Sequence, residues 1–167
     1  MHSYLERLRR ELEHAIAGAN PASIERAPDA KWSPAQILEH LFLTFQGTNK
    51  GVSKCLEKGS PIASAGTFPN RVRAFVVVNL GYLPTGRKSP ERAVPKGMPA
   101  EQVRRIVFAA IQEMDRGLAE CERKFGSSKK IMDHPVLGPL DVRQWRKFHW
   151  VHGRHHARQI RERLGNP

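Results

Sequence analysis

Apolar residues recur at helical spacing in four long stretches of this chain, and one proline-rich connection separates the second stretch from the third. Spacings of three and four residues place side chains on one face of a helix, whereas a strand would alternate. The first stretch runs from about Ser3 to Ala17 with Leu5, Leu8, Leu12 and Ile16 on one face, and Gly18, Asn20 and Pro21 stop it. The second opens on Ser33-Pro34-Ala35-Gln36. There Ser33 caps, Pro34 takes the first helical position, and Gln36 reaches back to the cap amide. Ile37, Leu38, Leu41, Phe42 and Phe45 form its buried face, and the pattern continues to about Lys58.

The third stretch begins at Pro99 or Ala100 and reaches Lys124, with Val103, Ile106, Val107, Ala110, Ile111, Met114, Leu118 and Cys121 in helical register. The fourth begins at Asp141, which forms an Asp-capped box with Gln144, and ends before Gly165-Asn166-Pro167. Between Gly59 and Pro99 the chain is mostly connection, punctuated by Pro61, Pro69, Pro84, Pro90, Pro95 and Pro99. Its apolar part, Val72 to Leu83, is expected as a short helix because no alternating partner nearby completes a sheet. These features predict an all-α fold, a four-helix bundle with one long crossover between helices 2 and 3. At 167 residues the chain is expected to form a single domain over 1–167.

The formal charge of +12 suits nucleic acid, a membrane surface or an anionic small molecule. Basic residues are spread along the chain without a block, and aromatic residues make up only 7%, little stacking surface for a single-strand binder. Nucleic-acid binding is therefore the lesser expectation. No apolar run approaches the roughly 18 residues of a membrane span. The charged, amphipathic N-terminus lacks the apolar region of a secretory signal. Two cysteines, Cys55 and Cys121, are too few for a disulfide framework, and each falls late in an apolar helical pattern. Buried inert thiols and a reducing cytoplasmic location are expected.

The histidines carry the chemistry. His149, His152 and His156 fall within about 60° of one another on the fourth helix, on the stripe that also holds Trp145 and Ile160. Arg143, Arg146, Lys147, Arg154, Arg158 and Arg161 point the other way, and His155 lies on the flank. His152 and His156, four residues apart, can hold one metal from a single helix face. His40 on the edge of the second helix's apolar face is the natural third ligand, although sets using His149 fit the geometry as well. Three histidines with an open position suit a catalytic rather than a structural metal. His2, His14 and His134 show no such convergence and are expected on the surface or in loops. Glu39 lies about 100° around the helix from His40, a poor position for a general base.

Two segments then carry a family likeness. Lys31-Trp32-Ser33-Pro34-Ala35-Gln36-Ile37-Leu38-Glu39-His40-Leu41 resembles the start of the second helix in the DinB-like superfamily. Val151-His152-Gly153-Arg154-His155-His156-Ala157-Arg158-Gln159-Ile160 resembles its last-helix signature, H-x-x-H-H-x-x-Q. His134-Pro135-Val136-Leu137-Gly138-Pro139-Leu140-Asp141, followed by Trp145, resembles one DinB-related branch whose function is not established.

The resemblance implies a four-helix bundle, often a homodimer, with zinc or nickel on His40, His152 and His156. Bacillithiol transferases and mycothiol-dependent maleylpyruvate isomerase are similar proteins in which the metal activates a cofactor thiol. By that likeness, this chain would use a low-molecular-weight thiol or water in a transferase or hydrolase reaction on an anionic small-molecule substrate. Arg71, Arg73, Arg154 and Arg158 are the candidate contributors to a basic cleft. The alternative is a non-enzymatic basic binding module for nucleic acid or an acidic partner, its histidines structural.

Overall fold

The computed structural model describes residues 1–28, 30–84 and 89–165. Residues 85–88 of the expected crossover, and Asn166 and Pro167 after the last helix, lie outside the described residues. The chain is mostly helical: α1 (Ser3–Ala15), α2 (Pro21–Glu25), α3 (Pro34–Lys58), α4 (Phe68–Ala74), α5 (Ala100–Phe125) and α6 (Val142–Leu164). A π-helical turn, Phe75–Asn79, continues α4, and a single 3₁₀ turn spans Glu91–Ala93. The four stretches with helical spacing are α1, α3, α5 and α6.

Both sequence-level start signals form. The Ser33 side chain accepts from the Gln36 amide while the Gln36 side chain accepts from the Ser33 amide, and Asp141 and Gln144 repeat this reciprocal pair at α6. Glycines in the left-handed region, Gly59 and Gly165, end α3 and α6. Helix α3 packs along α5, α1 packs along α6, and α3 also meets α6. One buried cluster joins them, including Leu8 and Leu12 of α1, Leu41 and Phe45 of α3, Met114 and Leu118 of α5, and Ile160 of α6.

The all-α expectation needs one correction. β1 (Lys130–His134) and β2 (Gly138–Asp141) form an antiparallel hairpin between α5 and α6, pairing Met132 with Leu140 and His134 with Gly138. Two short strands with a proline in the second leave almost no alternation to read. Pro139 is tolerated because every strand of a two-stranded sheet is an edge. Ile131 and Leu140 are fully buried beneath the hairpin. The Ile131 carbonyl accepts from both the Ile62 amide at 2.8 Å and the Cys55 thiol at 3.2 Å, tying the start of the crossover to the sheet and to α3. Gly138, at φ 72°, occupies a conformation and a space against Asn70 that a side chain would not accept. The apolar stretch in the crossover is helical from Val72 to Asn79 as expected, but Leu80 to Leu83 lie beyond the helix, which starts earlier, at Phe68, where Thr67 and Asn70 form a further reciprocal cap.

Helices α1 and α6 approach closely at Gly153, where an added Cβ would clash with Leu8 Cδ1. Gly153→Ala is expected to destabilise the fold by about 1–3 kcal/mol through overpacking. Combined with Leu8→Ala, its cost should shrink, giving a total below the sum of the single changes in urea denaturation.

Candidate metal centre

The second and last long helices bring His40, His152 and His156 together, all buried. His40 Nε2 lies 3.3 Å from His152 Nε2, and His156 Nε2 lies 3.0 Å from His152 Nε2. One ring nitrogen from each residue falls within 4.8 Å of the other two. For comparison, nitrogens about 2.0–2.1 Å from one tetrahedral zinc lie about 3.3–3.4 Å apart.

The outer nitrogens fix the tautomers. His40 Nδ1 donates to the Ala93 carbonyl at 2.7 Å, and His156 Nδ1 donates to Gln159 Oε1 at 2.7 Å. Each therefore presents an Nε2 lone pair to the cluster, the neutral form a metal ligand needs. The amide nitrogen of Gln159 donates in turn to His155 Nε2 at 3.2 Å, so its orientation is consistent with both bonds. Burial pushes all three cluster imidazoles below their ordinary value, His156 to about 3, with the neighbouring histidines adding to the effect at His152 and His156.

With neutral rings, His152 Nε2 cannot satisfy both neighbours as a hydrogen-bond donor. His152 Nδ1 has no partner among the described residues. A cation shared by three lone pairs resolves that conflict, so the donor set fits a divalent metal.

His149 and His155 stand apart from the cluster. His149 Nε2 meets Thr48 Oγ1 at 2.9 Å, and its ring lies against Trp145 and Phe45. The expectation of an unremarkable surface or loop position fails for His134. Its ring packs on Phe148 with centroids 4.4 Å apart, and Nδ1 accepts from the Val136 and Leu137 amides at 3.1 and 3.2 Å. Burial, assisted by the Arg92 charge, lowers its pKa to about 4. Arg146 is also not solvent-facing, being buried and paired with Glu122. Cys55 and Cys121 are free and buried as expected, and burial raises both thiol pKa values, Cys121 to about 11.

The spacing argument passed over the residues that orient the site. Glu39, 2% exposed, accepts from the backbone amides of Lys96, Gly97 and Met98 at 2.8, 3.0 and 2.8 Å. It fixes the end of the crossover, including the segment whose Ala93 carbonyl holds His40. No periodic signal reveals a carboxylate that caps a loop more than fifty residues away. Gln159, by contrast, stands in the last-helix signature three residues after His156.

A cavity of about 1250 Å³ opens beside the cluster, lined by α3, α6, the crossover and the hairpin. Phe148 stacks on His152 with centroids 5.4 Å apart, and Trp32 lies 5.3 Å from the His40 ring. Of the four arginines expected near a cleft, Arg73 lines the cavity and Arg71, Arg154 and Arg158 do not. Lys50, Lys54, Arg92 and Arg163 do line it. None of the described helices is long and apolar enough to cross a membrane.

The family model described as the DinB superfamily matches residues 4–160, so the chain belongs to that superfamily. No curated protein and no solved structure matches it.

Two consequences are measurable. His134 and His149 are held neutral by burial, the latter with a pKa of about 3, so the unfolded chain binds more protons than the folded one below about pH 6.5. Stability should be flat above that pH and fall on acidification towards about pH 4, by up to about 1.4 kcal/mol per pH unit for each such histidine. Calorimetry of metal-free His134→Asn should show a shallower acid slope. Glu39→Gln leaves three amide donors facing one carbonyl oxygen, and should cost about 1–3 kcal/mol in chemical denaturation while speeding hydrogen exchange at Lys96, Gly97 and Met98.

Proposed function

We propose that this member of the DinB superfamily holds one divalent metal, zinc or nickel, on His40, His152 and His156, and acts as a metal-dependent transferase or hydrolase. The carrying observation is the convergence of three imidazole nitrogens, two of them fixed as lone-pair donors by Ala93 and Gln159. A metal at such a site supplies Lewis-acid chemistry and lowers the pKa of a low-molecular-weight thiol or a water at its open position. The chain's own contribution is orientation and shielding. His40 and His156 are held by their outer nitrogens, Phe148 covers one face of His152, and Trp32 covers one side of His40. The adjoining cavity admits a small-molecule substrate to one side of the cluster.

This reading takes α1, α3, α5 and α6 as a four-helix bundle whose single long crossover lies between α3 and α5, forming one domain over residues 1–167. The pairing of α3 with α5 and of α1 with α6 supports it. A cytoplasmic homodimer is part of the same reading, with the two free, buried cysteines in keeping with a reducing compartment.

Elemental analysis of untagged protein should find close to one zinc or nickel per chain. His152→Ala and His156→Ala should each abolish binding with helix content retained by circular dichroism. Gln159→Leu, which removes the acceptor for His156 Nδ1, should weaken metal affinity about 10–100-fold without removing a ligand. Full occupancy in both histidine variants would sink the assignment and leave the histidines structural.

A further inference from the structure

The cavity continues well past the histidine cluster. Along α3 it is bounded in turn by His40, Thr44, Gly47, Thr48, Gly51 and Lys54, all on one side of the helix. From His40 to Lys54 this is about 21 Å at about 1.5 Å per residue. The side chains along that floor are small between a potential reacting centre at one end and Lys50 and Lys54, one turn apart, at the other.

Gly47 is the informative position. A glycine inside a helix costs about 1 kcal/mol relative to alanine. A Cβ there would meet nothing within 4 Å among the described residues, so packing among them does not require this glycine. Gly51 differs, because its Cβ would meet the Met132 sulfur at 2.5 Å. The facing walls are largely apolar, with Val76, Val77 and Leu83 from the crossover and Phe148 from α6. Two fully or nearly buried residues on the lining, His149 and His152, also keep an unpartnered Nδ1 among the described residues.

Charge defines the other property of the occupant. Among the described residues, six cations line the cavity, Lys31, Lys50, Lys54, Arg73, Arg92 and Arg163, against one carboxylate, Asp133. Asp133 is already engaged, since both its oxygens accept from the Ser64 amide. An apolar trough with a cationic end favours a molecule that buries a chain and leaves an anion at the lysines.

We infer that the trough along α3 binds an elongated amphiphilic anion, an apolar chain ending in a carboxylate or similar group, with the anion at Lys50 and Lys54 and the opposite end at the histidine cluster. This names the substrate class of the proposed metal site and rests on that reading only for what happens at the cluster. Binding in the trough requires no metal.

The test titrates the full-length, metal-free protein with dodecanoate, hexanoate and dodecanol, followed by fluorescence of the tryptophans, of which Trp32 and Trp145 line the cavity. Dodecanoate should bind at least about tenfold more tightly than either hexanoate or dodecanol, because only it combines the long chain with the anion. The double variant Lys50→Gln, Lys54→Gln should reduce dodecanoate to the affinity of dodecanol and leave dodecanol unchanged. Gly47→Leu should lower dodecanoate affinity at least about tenfold while the thermal midpoint stays level or rises, since leucine is the better helix former. That combination is not expected of a purely structural glycine.

Equal binding of dodecanoate and hexanoate, or of dodecanoate and dodecanol, would overturn the inference. So would unchanged dodecanoate binding in Gly47→Leu. Loss of the anion preference in Arg73→Gln, Arg92→Gln but not in the lysine variant would overturn the assigned direction. Because the titration is metal-free, a failed metal assignment appears only in the elemental analysis, and a failed trough only here.

Discussion

Much of this molecule depends on one buried carboxylate. Glu39 gathers the amides of Lys96, Gly97 and Met98, and the next residue in the chain, His40, donates to the carbonyl of Ala93. Successive side chains on α3 therefore grip the end of the crossover at two points. An anionic acceptor facing three backbone donors is among the stronger polar arrangements available to a protein, and its removal would leave those donors without their acceptor. The crossover in turn forms a wall of the cavity. Local order in a segment without a long helix of its own, the tautomer of His40 and the closure of the cavity thus share one anchor.

The opposite end of the crossover is held differently. There Ile62 and Cys55 share the Ile131 carbonyl, so the hairpin acts as a clasp between the start of the connection and the far half of α3. Between the two anchors the chain presents Val76, Val77 and Leu83 to the cavity, while Ala74, Val77 and Val78 also join the buried core. The pairing of buried Arg146 with half-buried Glu122 ties α6 to α5 independently of either anchor.

The helices were legible because their evidence is local. Leu5, Leu8 and Leu12, or Val103, Val107 and Met114, declare a buried face by spacing alone, and Ser33-Gln36 and Asp141-Gln144 declare where two helices begin. The three cluster histidines were legible for a related reason: His152 and His156 are one turn apart, and His40 lies on the edge of an apolar stripe. What spacing could not show was the set of partners lying across the fold. Glu39 looked idle because its angle was judged only against His40, while its partners are main-chain amides. His134 looked like a loop residue because its burial comes from Phe148 and from a hairpin with one proline in its turn, Pro135, and one in its second strand, Pro139. The lysines of the cavity were hidden by sheer number in so basic a chain, since charge alone does not say which cations share a wall.

The π-helical turn at Phe75–Asn79 has a consequence for how such a protein could diversify. A π turn is a helix that has absorbed one additional residue, with hydrogen bonds reaching one position further back. Deleting a residue there would return the turn to α-helical winding and change which of its side chains face the cavity, while the segments on either side keep their register. Val76 and Val77, which border the cavity, sit within that turn, and Leu83 follows shortly after. A change of length by one residue could therefore exchange the side chains presented to a ligand while leaving the long helices and their histidines untouched. Selectivity in this architecture has a mechanical adjustment separate from its chemistry, set by residue count as much as by residue type.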